Sequence, residues 1–244
     1  MACGLADRLM MEQGLHQLSL HCNRAQMQSQ KGRWDRVDQM KITAENLTCL
    51  RNGRSIFKPA SFALGAGDFL TLTGINGAGK STLLRLLAGF LPIADGRLSI
   101  DPVPEGQLAD LCHYFGHADG LSSSLTVAEN LEFWRLFYPD PRLEISAALD
   151  AVGLQRLSEV PAAVLSAGQR RRLSFARLLV SYRPVWLLDE PTTALDRDAA
   201  EQLFAFIEAQ RSGGGIVIAA VHDWTGPAPS QTVALEPAGR EAVV

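Results

Sequence analysis

Eight consecutive residues, Gly74-Ile75-Asn76-Gly77-Ala78-Gly79-Lys80-Ser81, fit the pattern G-x-x-x-x-G-K-[ST], and Thr82 follows them. Glycines at these positions let backbone N–H groups turn inward around phosphate oxygens with no Cβ in the way. A helix starting near Lys80 would aim the positive end of its dipole at the same anion. Lys80 then reaches the β- and γ-phosphates, and Ser81 offers its hydroxyl to Mg²⁺. The competing explanation is an accidental glycine turn before a core helix. It is weakened by the setting, because "LTLT" reads as a strand and "KSTLLRLLAGF" as a helix, as the mechanism requires. The stretch is expected to bind a nucleoside triphosphate.

A second constellation sits in "VWLLDEP", residues 185–191. The apolar run reads as a central strand, whose C-terminal end opens at the same rim as a phosphate loop. Asp189 is then placed to hold Mg²⁺, usually through water, and Glu190 to polarise a water for in-line attack on the γ-phosphate. An Asp-Glu pair at a strand end is common by itself, and the phosphate loop gives this one its meaning. His222 follows the strand-like "GIVIAAV". A lone histidine is more often structural, but this position favours a γ-phosphate contact and a role in orienting Glu190.

The third motif is Leu165-Ser166-Ala167-Gly168-Gln169. Read alone it is a helix N-terminus with Ser166 as cap, which is also an anion site. With the phosphate loop, "LLDEP", Ala194-Leu195-Asp196 and His222, in that order along the chain, it resembles the ATP-binding subunits of ABC transporters. The resemblance covers about Lys41 to the C-terminus. It implies an α/β fold of the P-loop NTPase type: a RecA-like core with an antiparallel β-subdomain, and a helical subdomain over roughly residues 118–165. It also implies ATP and Mg²⁺ as cofactors and a head-to-tail dimer of two copies. Each ATP would lie between Gly74–Thr82 of one copy and Ser166, Ala167, Gly168 and Gln169 of the other, with Asp196 in the D-loop.

Two positions depart from the family pattern. The aromatic residue that usually stacks on adenine is replaced, in "CLRNGRS", by Arg51, whose planar guanidinium can stack on a purine. The usual glutamine between core and helical subdomain falls at His117, which could contact Mg²⁺-bound water or the transmembrane partner. "YFGHADGLSSSLTVAENLEFW", "LSAGQRRRLSFARLL" and the short chain after His222 narrow the resemblance further. They look like the ATP-binding subunit of the haem exporter of cytochrome c maturation. That implies a separate transmembrane permease and a peripheral location on the cytoplasmic face of the inner membrane. An exporter of another substrate would carry the same core motifs, and the motifs leave open whether haem itself is the species moved. Nucleic-acid-associated ABC proteins typically carry two ATPase units or coiled-coil insertions, and this chain has one set of motifs and no heptad run. Direct haem ligation is not expected: there is no CxxCH, and "LCHYFG" reads as strand and loop, so His113 and His117 share no helical face.

The remaining sequence must supply the scaffold. The chain has 244 residues, 47% hydrophobic and 20% charged, with a net charge of −3. These values describe an ordinary globular composition without general attraction to nucleic acid or anionic lipid. No apolar run approaches the ~18–20 residues that span a bilayer. Cys3, Cys22, Cys49 and Cys112 are scattered, which suggests neither a zinc site nor a disulfide framework. Residues 1–40 lack sustained periodicity and read as a poorly ordered extension, with Met1 and Met40 both candidate start sites; residues 41–244 read as the ATPase domain. "KITAENLTCL" is a strand, and "SFAL" and "DFLTLTG" look like a hairpin around Gly65-Ala66-Gly67. Thr126 and Glu129 form a capping box before "NLEFWRLFY". A helix is expected from Pro141 to Gly153, another through "SAGQRRRLSFARLLVSY", and a last one through "RDAAEQLFAFIEAQR". Apolar runs between helices indicate a parallel sheet.

Overall fold

The structure, a computed structural model, describes residues 37–102, 108–138 and 140–239. The expectation of an N-terminal extension falls mostly outside them. Within them, a short 3₁₀ turn at Val37–Gln39 leads to a buried Met40. The chain divides into two compact units. One is drawn from residues 36–118, 183–193 and 210–244, the other chiefly from 119–182 and 194–209.

The first unit holds both main sheets. Its five-stranded sheet is parallel throughout, in the order β10-β5-β9-β8-β7. The strands are β5 (Phe69–Thr73), β7 (Cys112–Phe115), β8 (Val185–Asp189), β9 (Ile216–Ala220) and β10 (Gln231–Ala234). Every residue of β8 and β9 is buried, which is why both read as unbroken apolar runs rather than alternating ones. Helix α1 (Lys80–Leu87) packs against β8 and β9 through Leu83, Leu84, Leu86 and Leu87, all buried. Burial of four leucines contributes ~1.5–3 kcal/mol each relative to exposure. That packing ties the loop before the helix to the sheet.

A second, antiparallel sheet has the order β4-β1-β6, with β1 (Lys41–Thr48) between β4 (Ala60–Gly65) and β6 (Asp95–Asp101). The register of β1 shifts between Ala44 and Leu47 against β4, and Asn46 takes a φ of 50°. The Asn46 N–H there donates to Ser61 Oγ at 2.9 Å. Two-residue strands β2 (Leu50–Arg51) and β3 (Arg54–Ser55) form a small hairpin around Asn52-Gly53, both at positive φ.

The expected hairpin around Gly65-Ala66-Gly67 does not form. β4 and β5 belong to different sheets. The Asp68 carboxylate accepts from the Gly65 N–H at 2.7 Å, and the Gly67 N–H donates to Gly214 O at 3.2 Å. The turn is therefore real but redirects the chain. β5 takes its partners, β9 and β10, from the C-terminal end of the described chain, residues 216–220 and 231–234.

The second unit is helical. Helix α3 (Val127–Phe137) carries the expected capping box, with the Glu129 N–H on Thr126 Oγ1 and the Thr126 N–H on Glu129 Oε2. It packs on α4 (Ile145–Ala151) and α5 (Ala167–Val180). The expected helix from Pro141 begins later, at Ile145. Residues 141–143 instead run along the end of α5, with the Arg142 N–H on Val180 O and the Leu143 N–H on Leu179 O. Between β6 and β7 lies a one-turn helix α2 (Leu108–Leu111), and α6 spans Arg197–Ser212. Among the described residues, no helix is long and apolar enough to cross a membrane.

Candidate functional site

The register of the parallel sheet puts four strand ends at one rim. Leu72 of β5 pairs with Ala220 of β9, Asp189 of β8 pairs with Ala220, and Phe115 of β7 pairs with Leu188. The phosphate loop, Asp189-Glu190, His222 and His117 all leave the sheet there. This is the crevice outside the carboxyl ends of the strands where open α/β sheets bind ligands. His222 and His117 are both exposed, two residues past their strands.

The loop's glycines are required by its geometry. Gly74 has φ 135°, and a Cβ there would come within 2.4 Å of Leu235 O. Gly79 has φ 100°, and a Cβ would meet the Phe57 ring at 2.7 Å. Gly79 is also the N-cap of α1, with no side chain bonded to the helix end. The first-turn N–H groups are thus left for an anion. Lys80 is 7% exposed, and its Nζ donates to the carbonyls of Gly74 at 2.8 Å and Ile75 at 3.3 Å. The ammonium is held across the mouth of its own loop, while Ile75, Asn76 and Gly77 are exposed.

Ser81 Oγ donates to Asp189 Oδ1 at 2.9 Å. Asp189 is wholly buried, at the end of β8. Its other oxygen, Oδ2, accepts from Tyr114 OH at 3.3 Å, and Arg85 Nε donates to Tyr114 OH at 3.4 Å. Burial foremost, and the charge of Asp189 after it, push the Tyr114 phenol above its usual pKa, against a lowering hydrogen bond from Arg85. Tyr114 therefore stays protonated and able to donate. Nothing in its sequence context marked Tyr114 or Arg85 beyond Tyr114's place one residue from the end of a strand that opens at this rim.

Glu190 has φ 46°, a left-handed conformation that is uncommon for a residue with a long side chain. Its N–H donates to Ala220 O at 3.0 Å, and its carbonyl accepts from the Thr193 N–H at 3.2 Å. Thr193 Oγ1 also donates to Glu190 Oε2 at 3.4 Å. Backbone strain of this kind concentrates at functional sites.

In the helical unit, Ser166 and Gln169 form a reciprocal capping box at the start of α5. The Gln169 N–H donates to Ser166 Oγ at 3.2 Å and the Ser166 N–H to Gln169 Oε1 at 2.9 Å. Sequence reasoning saw the serine cap and missed the glutamine's half of it, although S-x-x-Q was in view. The box leaves the Ala167 and Gly168 N–H groups outside it, and Ser166 is exposed. Asp196 Oδ1 accepts from the Ala199 N–H at 2.9 Å, so Asp196 caps α6. Arg51 is exposed on β2, directly opposite Arg54.

The strand order, the phosphate loop and the paired carboxylates define a P-loop nucleotide hydrolase. The chain matches the ABC transporter family over residues 57–193, and it belongs to that family as an ATPase. It is 49% identical over 187 residues to the "Cytochrome c biogenesis ATP-binding export protein CcmA" of Chelativorans sp. (strain BNC1), covering 75% of this chain and 92% of that one. The protein of the same name from Nitrobacter winogradskyi is 50% identical over 184 residues, with the same coverage. Among solved structures, a putative ABC transporter ATP-binding protein from Pyrococcus furiosus shares the fold, with a TM-score of 0.70 at 20% identity over 80% of this chain and 96% of that one. The cbiO1 protein of Clostridium perfringens, described as part of the ABC transporter complex cbiONQ, superimposes with a TM-score of 0.67 at 26% identity, over 80% and 84%.

Proposed function

We propose that the chain is the ATP-hydrolysing subunit of the haem exporter that serves cytochrome c maturation. It would work as a head-to-tail pair on the cytoplasmic face of the inner membrane, bound to a separate transmembrane permease. The chemistry is that of nucleotide hydrolysis, with no role in nucleic-acid binding and none in ligating haem. The observation that carries the site assignment is the 2.9 Å bond from Ser81 to Asp189, which couples the phosphate-loop helix to the strand end that bears Glu190.

Each residue has a role in this reading. The N–H groups of Gly74 to Thr82 and the Lys80 ammonium hold the triphosphate. Arg51 covers one face of the base. Ser81 and Asp189 fit a magnesium ion by donor type, a hydroxyl and a carboxylate oxygen 2.9 Å apart, with water and phosphate left to complete an oxygen shell. When bound, the ion neutralises charge on the β- and γ-phosphates. Glu190 orients a water and takes its proton as the water oxygen bonds to the γ-phosphorus and the bond to the ADP oxygen breaks. His222 holds Glu190 and the γ-phosphate in register. His117 contacts metal-bound water or the permease. Ser166 to Gln169 of the second copy close on the same nucleotide, with Asp196 lining the shared interface.

The similarity to export proteins of cytochrome c biogenesis supports the choice of pathway. Deleting the gene for this chain from its host should abolish covalently bound haem in membrane extracts run on a denaturing gel. The wild-type gene should restore it and Lys80→Ala should not. Normal c-type cytochromes in the deletion strain would overturn the haem-exporter assignment.

A further inference from the structure

Asp189 is gripped from two sides. Ser81 Oγ donates to Oδ1 at 2.9 Å, and Tyr114 OH to Oδ2 at 3.3 Å. We infer that Tyr114 is a positioning residue for metal-dependent ATP binding: its hydroxyl fixes the plane of the Asp189 carboxylate so that Oδ1 stays turned toward Ser81. The inference rests on the reading that Ser81 and Asp189 hold the magnesium ion.

The polarity of the chain of hydrogen bonds is forced. Arg85 can only donate, so at 3.4 Å the Tyr114 oxygen accepts from it. The phenol's single proton is then directed to Asp189. The ring itself has little freedom. It meets the Phe90 ring edge-on at a centroid distance of 5.3 Å. On another side, a Cβ on Gly116 would lie 2.7 Å from Tyr114 Cε1, so the ring passes where only a glycine leaves room. Ser81 can offer a lone pair to a metal ion while its proton stays on Oδ1, so its orientation is shared between two partners. Tyr114 holds the other oxygen, Oδ2, and its hydrogen bond does not depend on what Ser81 binds. Tyr114, Phe90 and Arg85 lie 75, 99 and 104 residues before Asp189, which is why the arrangement is not visible in any local motif.

The test uses the full chain and a fluorescent ATP analogue, titrated in EDTA and in a series of MgCl₂ concentrations. Tyr114→Phe keeps the ring and its contacts and removes only the hydroxyl. The midpoint of the magnesium dependence should rise about three- to ten-fold, the range of one net hydrogen bond. Affinity in EDTA should not change. Arg85→Gln should move the midpoint in the same direction by less, and it carries the test if Tyr114→Phe does not fold. Asp189→Asn separates the two levels of the reading. If it raises the magnesium midpoint while Tyr114→Phe leaves it unchanged, Tyr114 has no positioning role. The same conclusion follows if Tyr114→Phe weakens binding equally in EDTA. If Asp189→Asn itself leaves the midpoint unchanged, the metal assignment fails.

Discussion

Replacing Gly168 with alanine should raise stability and lower turnover together. Gly168 is the second residue of α5, and a Cβ built on it has Ala194 O as its nearest neighbour, at 3.8 Å. That is ordinary contact, so the isolated chain accommodates the methyl group. Alanine is favoured over glycine by about 0.8–1.0 kcal/mol inside a helix. Taking half of that for the first turn gives ~0.5 kcal/mol of stabilisation. At about 2–4 °C per kcal/mol for a chain of this size, Tm should rise by ~1–2 °C in a thermal melt. In the proposed head-to-tail pair the same methyl group would face the nucleotide held by the other copy. Forcing a methyl into a filled space costs about 1–3 kcal/mol, which corresponds to a turnover about 5- to 150-fold slower with the membrane partner present. A falling Tm would refute the steric reasoning. Unchanged turnover would refute the placement of Gly168 against ATP.

Lys80→Ala should remove most ATP binding, measured by equilibrium dialysis, because it deletes the ammonium held across the loop by Gly74 and Ile75. Binding as tight as in the wild type would overturn the phosphate-loop assignment. Glu190→Gln keeps the size of the side chain and removes the carboxylate. Turnover should fall by at least about 100-fold while ATP still binds, and an ATP-dependent dimer should become visible by light scattering.

The glycine loop and the helix it leads into were legible because every part is local: glycines, lysine and serine lie within eight residues, and the helix behind them has its own period. β8 and β9 were legible because burial on both faces writes a continuous apolar run. The turn at Gly65-Gly67 was legible as a turn but not for what it joins, since strand pairing is decided by residues far away in the chain. β10 was missed for the same reason. Its four residues, Gln231 to Ala234, alternate half-buried and exposed, and Thr232 is fixed by a 2.9 Å bond to Thr71 of β5. Pro141 carried a helix-start signal that the end of α5 overrode by pairing with residues 142 and 143. Tyr114 carried no signal, because its hydroxyl acts on a residue 75 positions later.

The left-handed backbone at Glu190 has a consequence for laboratory evolution. A non-glycine residue in that region costs on the order of 1–3 kcal/mol, and glycine or asparagine would relieve much of it. Libraries sorted only for thermal resistance, expression or protease survival should therefore enrich Gly or Asn at position 190. With Glu190 as the proposed water-activating base, such winners would be the better-folded and chemically silent members of the population. Consensus-style stabilisation of this chain needs position 190 held constant, and the frequency with which glutamate is lost there under stability selection alone gives a direct reading of how much fold stability the site gives up.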